Sequence, residues 1–260
     1  MSVSAILLVA LVSIVFLMTV MWVISVVLHN ASIVDLFWGI GFIITAIIYL
    51  LLGEGFETRK ILVLGLLAIW GFRLSIHLSV RNFGKPEDFR YKEFRKKYGE
   101  KRYWWISFFQ VFLLQGVILW VISLPLFGVM HFTNANTLEV LDFIAIVIWT
   151  IGFLFETLGD YQLKKFKADA KNKGEVLKTG LWKYSRHPNY FGNAMVWWGF
   201  GVFSLASGCY LGLLGSILMT LLLMKVSGAS LLERTLRNSK KGYKEYMKQT
   251  NAFFPWIPKK

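Results

Sequence analysis

Cysteine is nearly absent from this chain of 260 residues, which contains Cys209 alone. A single cysteine excludes an internal disulfide, and the four histidines show no spacing typical of metal ligands. The chain also lacks a P-loop and a GxGxxG fingerprint, so it carries no signal for a Rossmann domain. We therefore expect no metal site, and a nucleotide cofactor would have to bind through another architecture.

Acidic residues are scarce, because 15 Asp and Glu stand against 29 Lys and Arg, which gives a net charge of +14. Twenty-five of the 29 cations lie in three segments, 81–102, 163–189 and 232–260. Since this charge is divided among short segments, we expect no nucleic-acid partner. It fits the orientation of a membrane protein better, with contributions from binding anionic lipid or an anionic cofactor.

Long hydrophobic runs fill most of the remaining chain. Its residues are 56% hydrophobic and its mean hydropathy is +0.54, which is typical of an integral membrane protein. Runs of spanning length lie at about 4–28, 33–52, 60–80, 105–128, 139–159, 190–206 and 210–231. We therefore predict an all-α integral membrane protein with seven transmembrane helices in a single membrane domain, residues 1–260.

The charge distribution also predicts the topology. With seven helices the three basic segments fall on one side of the membrane, whereas an even number would divide them. The positive-inside rule then places the N-terminus outside and the C-terminus in the cytosol. The first apolar run has neither a basic n-region nor a small-residue cleavage site, so we predict a retained helix and not a signal peptide.

The densest polar motif is GLWKYSRHPNYFGN, residues 180–193. A proline in its second half suits the first turn of a helix, which places Arg186 and His187 at a helix N-terminus that favours anions. Asn189 and Asn193 lie four residues apart on one face, with Tyr190 beside them. The motif predicts either a cofactor site with phosphates outside and a polar ring inside, or a membrane-entry turn with interfacial anchors.

Charged residues inside predicted spans are costly and need an explanation. Glu156 and Asp160 lie one helical turn apart, Lys164 continues the same face toward the cytosolic end, and Lys167 lies close to it. The stripe indicates either a salt-bridge ladder to basic residues on other helices or the polar wall of a cavity that opens to the cytosol.

Three further residues are candidates for chemistry. Arg73 and His77 lie four residues apart in the third predicted helix, and Asp35 begins the second. Asp35 alternatively matches the dipole at a helix N-terminus, and His77 alternatively is a polar residue satisfied between helices. The loop motif GKPEDFRY, residues 84–91, indicates either surface ion pairs or a structured loop.

The segments FETLGDYQLKKFK, residues 155–167, and GLWKYSRHPNYFGN resemble the steroid 5-alpha-reductase family. WGFRLSIHLSVR together with GKPEDFRY resembles an uncharacterised bacterial branch related to that family. SRHPNYFG is also similar to the sterol reductases and, less closely, to isoprenylcysteine carboxyl methyltransferases. The motif is specific for this superfamily, but it does not indicate a single reaction.

The resemblance implies that helices in the C-terminal half enclose NADPH from the cytosolic side. The implied cofactor-binding residues are Glu156, Asp160, Lys164, Lys167, Tyr184, Arg186, His187, Asn189, Tyr190 and Asn193. The chain departs from the family pattern at Asn193, where the family usually has Glu or Asp. It also shows no match to the family's Gln-Glu pair in the second helix or its catalytic Tyr in the third.

We therefore predict a reductase in which NADPH delivers hydride to the beta carbon of an enone-type lipid. Asp35, His77 or Arg73 would polarise the carbonyl in a dry cavity, where that interaction is strongest. One alternative is a lipid or isoprenoid methyltransferase that uses S-adenosylmethionine, and another is a non-enzymatic lipid-binding protein. The expected partners are a hydrophobic lipid substrate and membrane lipids, and the expected location is a bacterial inner membrane with the active site facing the cytosol.

Overall fold

The computed structural model describes residues 1–226, 229, 233, 236–237 and 239–259. These residues form helices, turns and loops, and none of them forms a strand. The helical class predicted from the sequence is therefore confirmed. The end predicted for the seventh helix, at residue 231, lies outside the described residues.

Four helical stretches are long and apolar enough to cross a membrane, namely Val3–Val27, Glu57–Asn82, Glu100–Ile122 and Val140–Ala168. Trp38–Leu52 and Gly212–Lys225 are shorter apolar helices. These stretches indicate a membrane protein, as the composition predicted. The count of seven spans and the orientation stay predictions.

The chain divides into two compact units. The first contains residues 1–138 and 204–212, and the second contains residues 139–203 and 213–260. Units of this kind occur both within one domain and as separate domains, so the single membrane domain stays a prediction. Each unit is described by itself below.

The first unit begins with eight α-helices and one π-helix. They are α1 (Val3–Val27), α2 (Ile33–Leu36), α3 (Trp38–Leu52), α4 (Glu57–Asn82), α5 (Phe89–Tyr98), α6 (Glu100–Ser107), the π-helix Phe108–Leu113, α7 (Leu114–Ile122) and α8 (Leu124–His131). The predicted second helix is interrupted at Phe37. The Phe37 N–H donates to the carbonyl of Val34, three residues back, which is not the four-residue spacing of an α-helix. The predicted fourth helix is interrupted at Ser123, because Pro125 suits the first turn of a new helix.

Helices α3 and α4 pack through their glycines. A Cβ atom at Gly39 would overlap the backbone of Gly71, so only glycine allows this approach. The short connection between residues 52 and 57 makes the two helices antiparallel. Asp35, which precedes Gly39, and His77, which follows Gly71, therefore lie toward the same end of this helix pair.

The second unit contains further helices, and those with bounds inside the described residues follow. They are α9 (Val140–Ala168), the 3-10 turns Ala170–Asn172 and Gly180–Lys183, α10 (Pro188–Ala206), α11 (Gly212–Leu221), the π-helix Leu222–Val226 and α12 (Tyr243–Gln249). The last three residues of α10 and the first of α11 belong to the first unit. Helix α9 begins with a capping box, in which the side chains of Glu139 and Asp142 each accept from the other's backbone N–H. Pro188 begins α10, as its missing N–H predicts.

Candidate functional site

The candidate cofactor site lies along the seam between α9 and α10 within the second unit. Added Cβ atoms would lie 2.5 Å from the Val196 nitrogen at Gly152 and 3.1 Å from the Asn189 nitrogen at Gly159. One at Gly192 would overlap the backbone of Glu156. Because higher residue numbers on one helix meet lower numbers on the other, the helices are antiparallel and their backbones touch.

This seam brings together the residues that the sequence predicted. The Asn189 side-chain amide donates a 2.9 Å hydrogen bond to Asp160. Glu156 and Asn193 lie one turn further along the seam, and they are 3% and 9% exposed. A polar lining therefore lies at the contact of these two apolar helices. It consists of Asp160 with Asn189 and, one turn further along, Glu156 with Asn193.

Two atoms in this lining have unused hydrogen-bonding capacity. The side-chain oxygens of Asn189 and Asn193 are buried, and no group in the described part of the chain donates to them. A buried acceptor without a donor costs about 1–3 kcal/mol, so such atoms call for a ligand or an ordered water. Both oxygens come from one face of α10, which presents two acceptors to a molecule that carries N–H groups.

The 3-10 turn Gly180–Lys183 is held on the C-terminal part of α9. The Leu181 amide donates to the Gln162 side chain over 3.0 Å, and the Trp182 indole donates to the Gly159 carbonyl over 3.1 Å. Lys164 and Lys167 lie on the same helix beyond this contact, and both are exposed. Glu156 is buried and Asp160 is half-buried, so the stripe runs from the interior at Glu156 to the surface at the two lysines.

Arg186 and His187 share one acceptor. The Arg186 Nε atom lies 2.7 Å from Glu233 Oε1, and His187 Nε2 lies 3.1 Å from the same oxygen. Arg186 Nη1 also donates to the carbonyls of Met247, over 3.0 Å, and Thr250. The guanidinium is only 8% exposed, so this residue is fastened inside the protein and not directed outward as the anion-binding interpretation expected.

Glu233 is ionised at neutral pH because of these partners. Burial alone raises its pKa, but the hydrogen bonds from His187 and Arg186 and the Arg186 charge outweigh burial. The pKa of the Glu233 carboxyl therefore falls from an ordinary value of 4.5 to about 2. The His187 ring stacks on the ring of Tyr190 with centroids 5.5 Å apart, which fixes both side chains.

The segment 243–259, here called the C-terminal strap, accounts for the remaining contacts of the SRHP sequence. The Arg186 amide donates to the Asn251 carbonyl over 2.9 Å, and the Ser185 hydroxyl donates to the Phe253 carbonyl over 2.8 Å. The Trp256 amide donates to the Tyr184 carbonyl over 2.9 Å. The strap therefore fixes the backbone of the segment that precedes α10.

Tyr184 lies apart from the seam lining. It borders an apolar cavity of about 250 Å³ together with Pro255, Trp256 and Ile257 of the strap. Its side chain is 42% exposed. A role for Tyr184 at the cofactor stays a prediction, because the structure places it at the outer surface of this loop.

A second polar cluster lies within the first unit and is centred on Asp35. Arg90 donates to one carboxylate oxygen over 2.7 Å, and the Tyr91 hydroxyl donates to the other over 2.9 Å. The Gln115 amide donates to the Tyr91 hydroxyl over 3.2 Å. Asp35 is thus an acceptor from a cation and a phenol, and the phenol lies between a carboxylate and an amide.

Tyr91 stays protonated in this setting. Its side chain is 3% exposed, and burial together with the charge of Asp35 raises the pKa of the phenol above its ordinary value of 10. Arg90 also contacts Asp88 over 2.9 Å. The cluster therefore contains a neutral hydroxyl that hydrogen bonds with Asp35 and Gln115 hold in place.

Contacts outside the cluster fix the loop motif GKPEDFRY. Glu87 accepts from Arg95 through both carboxylate oxygens, over 3.1 and 2.9 Å, and from the Ala31 amide over 2.8 Å. The Asp88 amide donates to the Ser32 hydroxyl over 2.7 Å. This motif is a structured loop, in agreement with the second of its two interpretations. Sequence reasoning missed Tyr91 and Gln115. The density of polar residues in this motif was the one signal for Tyr91, and Gln115 lies outside it, in an apolar run.

Arg73 and His77 are half-buried on α4, toward the end of the α3–α4 pair next to which Asp35 of α2 lies. Ser75 lies between them and is 6% exposed, with a hydroxyl that bonds to no described group. All three predicted catalytic residues therefore lie in the first unit, toward one end of the same helix pair. Their catalytic roles stay predictions.

Comparisons with known proteins agree with the resemblance in part. An uncharacterised protein of the fission yeast Schizosaccharomyces pombe is 26% identical over 208 residues, which cover 71% of this chain and 60% of the yeast protein. The chain thus spans about three fifths of that relative's length. This relative is eukaryotic, so the bacterial branch stays a prediction. No solved structure matches the chain.

A family model described as a protein of unknown function, DUF1295, matches residues 21–250. The match covers the Asp35 cluster, the α9–α10 seam and the strap up to residue 250. The chain therefore belongs to the DUF1295 family, which is related to steroid 5-alpha-reductase-like proteins.

Proposed function

We propose that this protein is a membrane reductase that uses NADPH to reduce the carbon–carbon double bond of an enone-type lipid. The observation that carries the proposal is the buried Tyr91 hydroxyl between Asp35 and Gln115. Addition of hydride to the beta carbon of an enone leaves negative charge on the carbonyl oxygen. A neutral hydroxyl in an apolar unit stabilises that charge, because the developing oxyanion meets a fixed donor.

The residues of the cluster divide this task. The Tyr91 hydroxyl donates to Asp35 in the structure, so its proton must turn from Asp35 to the substrate oxygen when substrate binds, while the Gln115 amide continues to donate to the phenol oxygen. Arg90 donates to the other carboxyl oxygen of Asp35, so in this cluster Asp35 is the acceptor for both side chains. Arg73 and His77 lie toward the same end of the helix pair and are candidates for returning a proton to the cluster.

The seam of the second unit fits a dinucleotide. The unused side-chain oxygens of Asn189 and Asn193 suit the N–H groups of a nicotinamide carboxamide. The exposed cations Lys164 and Lys167 suit phosphates, because charge-assisted contacts of this kind are stronger than neutral ones. NADPH held by these residues would supply hydride chemistry. Arg186 has a supporting role, since it fastens the strap.

A methyltransferase has less use for the Asp35 cluster. Transfer of a methyl group to a carboxylate or an amine creates no oxyanion that a neutral phenol must stabilise. The buried phenol and its two partners would then have no chemical task, although keeping them ordered and desolvated costs free energy. This difference favours reduction over methyl transfer.

Binding and turnover by the purified protein test the proposal. The protein in detergent micelles is titrated with NADPH and separately with S-adenosylmethionine, and a 4-en-3-one sterol and an enone isoprenoid are supplied as substrates. We expect NADPH binding and a product two mass units heavier. Binding of S-adenosylmethionine without NADPH would establish the methyltransferase instead, and binding of neither would leave the non-enzymatic lipid-binding protein.

The proposal includes the orientation deduced from the sequence, with seven spans, an external N-terminus and a cytosolic cofactor site in a bacterial inner membrane. It rests on the 25 cations that fall in three segments. Reporters fused after residue 260 and inserted near Asn134 should report the cytosol and the exterior respectively. An external signal from the C-terminal fusion would exclude both the helix count and the cytosolic cofactor site.

A further inference from the structure

A small groove lined by aromatic rings lies within the first unit. It has a volume of about 200 Å³ and is bordered by Thr19 and Trp22 of α1, Trp105 of α6, and Phe108 and Phe109 of the π-helix. The groove opens on the outer surface, where Trp105 is 45% and Phe109 57% exposed. Neither the hydrogen-bonded Asp35 cluster nor the proposed reaction uses these side chains.

The walls of the groove are fixed. The Trp22 indole donates to the Trp104 carbonyl over 2.7 Å, and the Trp22 ring meets the Phe108 ring edge-on at 5.2 Å. Phe108 and Phe109 meet edge-on at 5.0 Å where α6 changes into a π-helix. Such π-helical turns occur frequently at functional sites. These contacts and the π-helical backbone therefore hold the rings that form the groove in place.

The groove lies near the ends of two candidate spans. Trp22 is five residues before the end of α1, and Trp105 is five residues after the start of the apolar stretch Glu100–Ile122. At a rise of about 1.5 Å per residue both rings lie roughly 7–8 Å from an end of a candidate span. A chain-like apolar ligand at this depth has its polar end near the water.

Two cations lie on the same helix face as the groove. Lys101 and Arg102 precede Trp105 by four and three residues, which is one helical turn toward the helix end. Both are exposed, and neither forms an ion pair with another described residue. The segment 92–102 contains six cations and two acids. Positive charge therefore flanks the groove on its water side.

We propose that this groove binds an anionic glycerophospholipid, with one acyl chain between the aromatic rings and the phosphate against Lys101 and Arg102. An aromatic belt that only anchors the protein in the interface would accept lipids of any headgroup. The charge pair adds selectivity, because a cation near an anionic lipid contributes about 1 kcal/mol. Two cations then correspond to about a 30-fold preference for an anionic over a zwitterionic lipid.

Quenching of tryptophan fluorescence by brominated lipids tests the site. The protein is reconstituted into phosphatidylcholine vesicles that contain a small fraction of either dibrominated phosphatidylglycerol or dibrominated phosphatidylcholine. Brominated chains quench indoles that they touch, so occupancy of the groove appears as excess quenching by the phosphatidylglycerol probe. We expect that excess at low probe fraction, and we expect it to fall as salt screens the charges.

Matched variants separate the site from general lipid contact. Lys101→Gln together with Arg102→Gln should abolish the excess, whereas Lys92→Gln together with Lys97→Gln removes equal charge from the neighbouring helix and should retain it. Thr19→Phe should abolish the excess by filling the groove while both cations remain. Three results would overturn the proposal. The first is equal quenching by the two probes, and the second is retention of the excess in the first variant or in Thr19→Phe. The third is displacement of the brominated lipid by soluble glycerol phosphate.

Discussion

Each of the two units contains an arginine paired with a carboxylate over 2.7 Å, and the two pairs have different surroundings. In the first unit, Asp35 receives Arg90 on one oxygen and the Tyr91 hydroxyl on the other. In the second unit, Arg186 binds Glu233 and two backbone carbonyls of a distant segment. One pair orients a hydroxyl group, and the other joins parts of the chain that are far apart in sequence.

The comparison shows that the length of an ion pair does not reveal its role. The role follows from the remaining polar atoms of the pair and from what they touch. A buried pair contributes little net stability relative to apolar residues, but removal of one partner leaves a charge uncompensated. The Arg186 pair should therefore matter for folding, and the Arg90 pair should matter through Tyr91.

The largest expected effect is on stability in the second unit. Arg186→Met leaves Glu233 and the strap carbonyls without their donor, so we expect a loss of about 3 kcal/mol, the lower end for a broken buried pair. Thermal unfolding in detergent measures it. Lys96→Met is the control, because the Lys96–Glu93 pair is 76% and 67% exposed and an exposed pair contributes about 0–1 kcal/mol. Equal losses in the two variants would contradict the structural role of Arg186.

Next in size is the effect of Tyr91→Phe on turnover. This variant removes one hydroxyl and should lower the reduction rate about 100- to 1000-fold, as loss of one oxyanion donor does, while NADPH affinity stays at the parent value. Steady-state kinetics and a separate NADPH titration measure the two quantities. Tyr98→Phe, on the same helix, should keep the parent rate. Unchanged turnover in Tyr91→Phe would exclude this phenol as the donor.

A smaller effect is the response of the second unit to acid. Because the pKa of Glu233 is about 2 in the folded protein and 4.5 ordinarily, its charge stabilises the fold above pH 4.5. This contribution is lost as the pH falls from about 4.5 toward 2. Melting temperatures across that range should fall more steeply for the parent than for Glu233→Gln. Parallel curves would show that the ionisation of Glu233 does not stabilise the fold.

The smallest effect expected concerns the seam. Asn193→Leu replaces a buried amide whose oxygen has no described donor, so stability should stay within about 1 kcal/mol of the parent. NADPH affinity should fall about tenfold, which is the loss of one ligand hydrogen bond. Thr157→Val is the matched control, since its hydroxyl is also buried without a partner. Equal affinities in both variants would exclude Asn193 from the cofactor site.

Much of the seam could be predicted from the sequence. Glu156 and Asp160 share one helix face, Asn189 and Asn193 share another, and the resemblance indicated that both faces line one site. The seam glycines then allow the closeness that the hydrogen bond from Asn189 to Asp160 requires. Local periodicity was sufficient here because each helix is continuous through the motif.

The Asp35 cluster could not be predicted in this way. Tyr91 lies 56 residues from Asp35 in the chain, and its motif also reads as a surface loop of ion pairs. No periodic pattern links a residue in a loop helix with one at the start of another helix. The partners of Arg186 were hidden for the same reason, since Glu233 and Thr250 follow it by 47 and 64 residues.

The glycine seam between α9 and α10 has a consequence for the membrane around it. Bilayers differ in thickness, and spanning helices respond to a mismatch by tilting or sliding. Two helices whose backbones touch at Gly152, Gly159 and Gly192 cannot slide past each other without separating those backbones. Because α9 is a candidate span, α10 must follow any tilt of α9 in the bilayer, and Asp160 and Asn189 keep their spacing as it tilts.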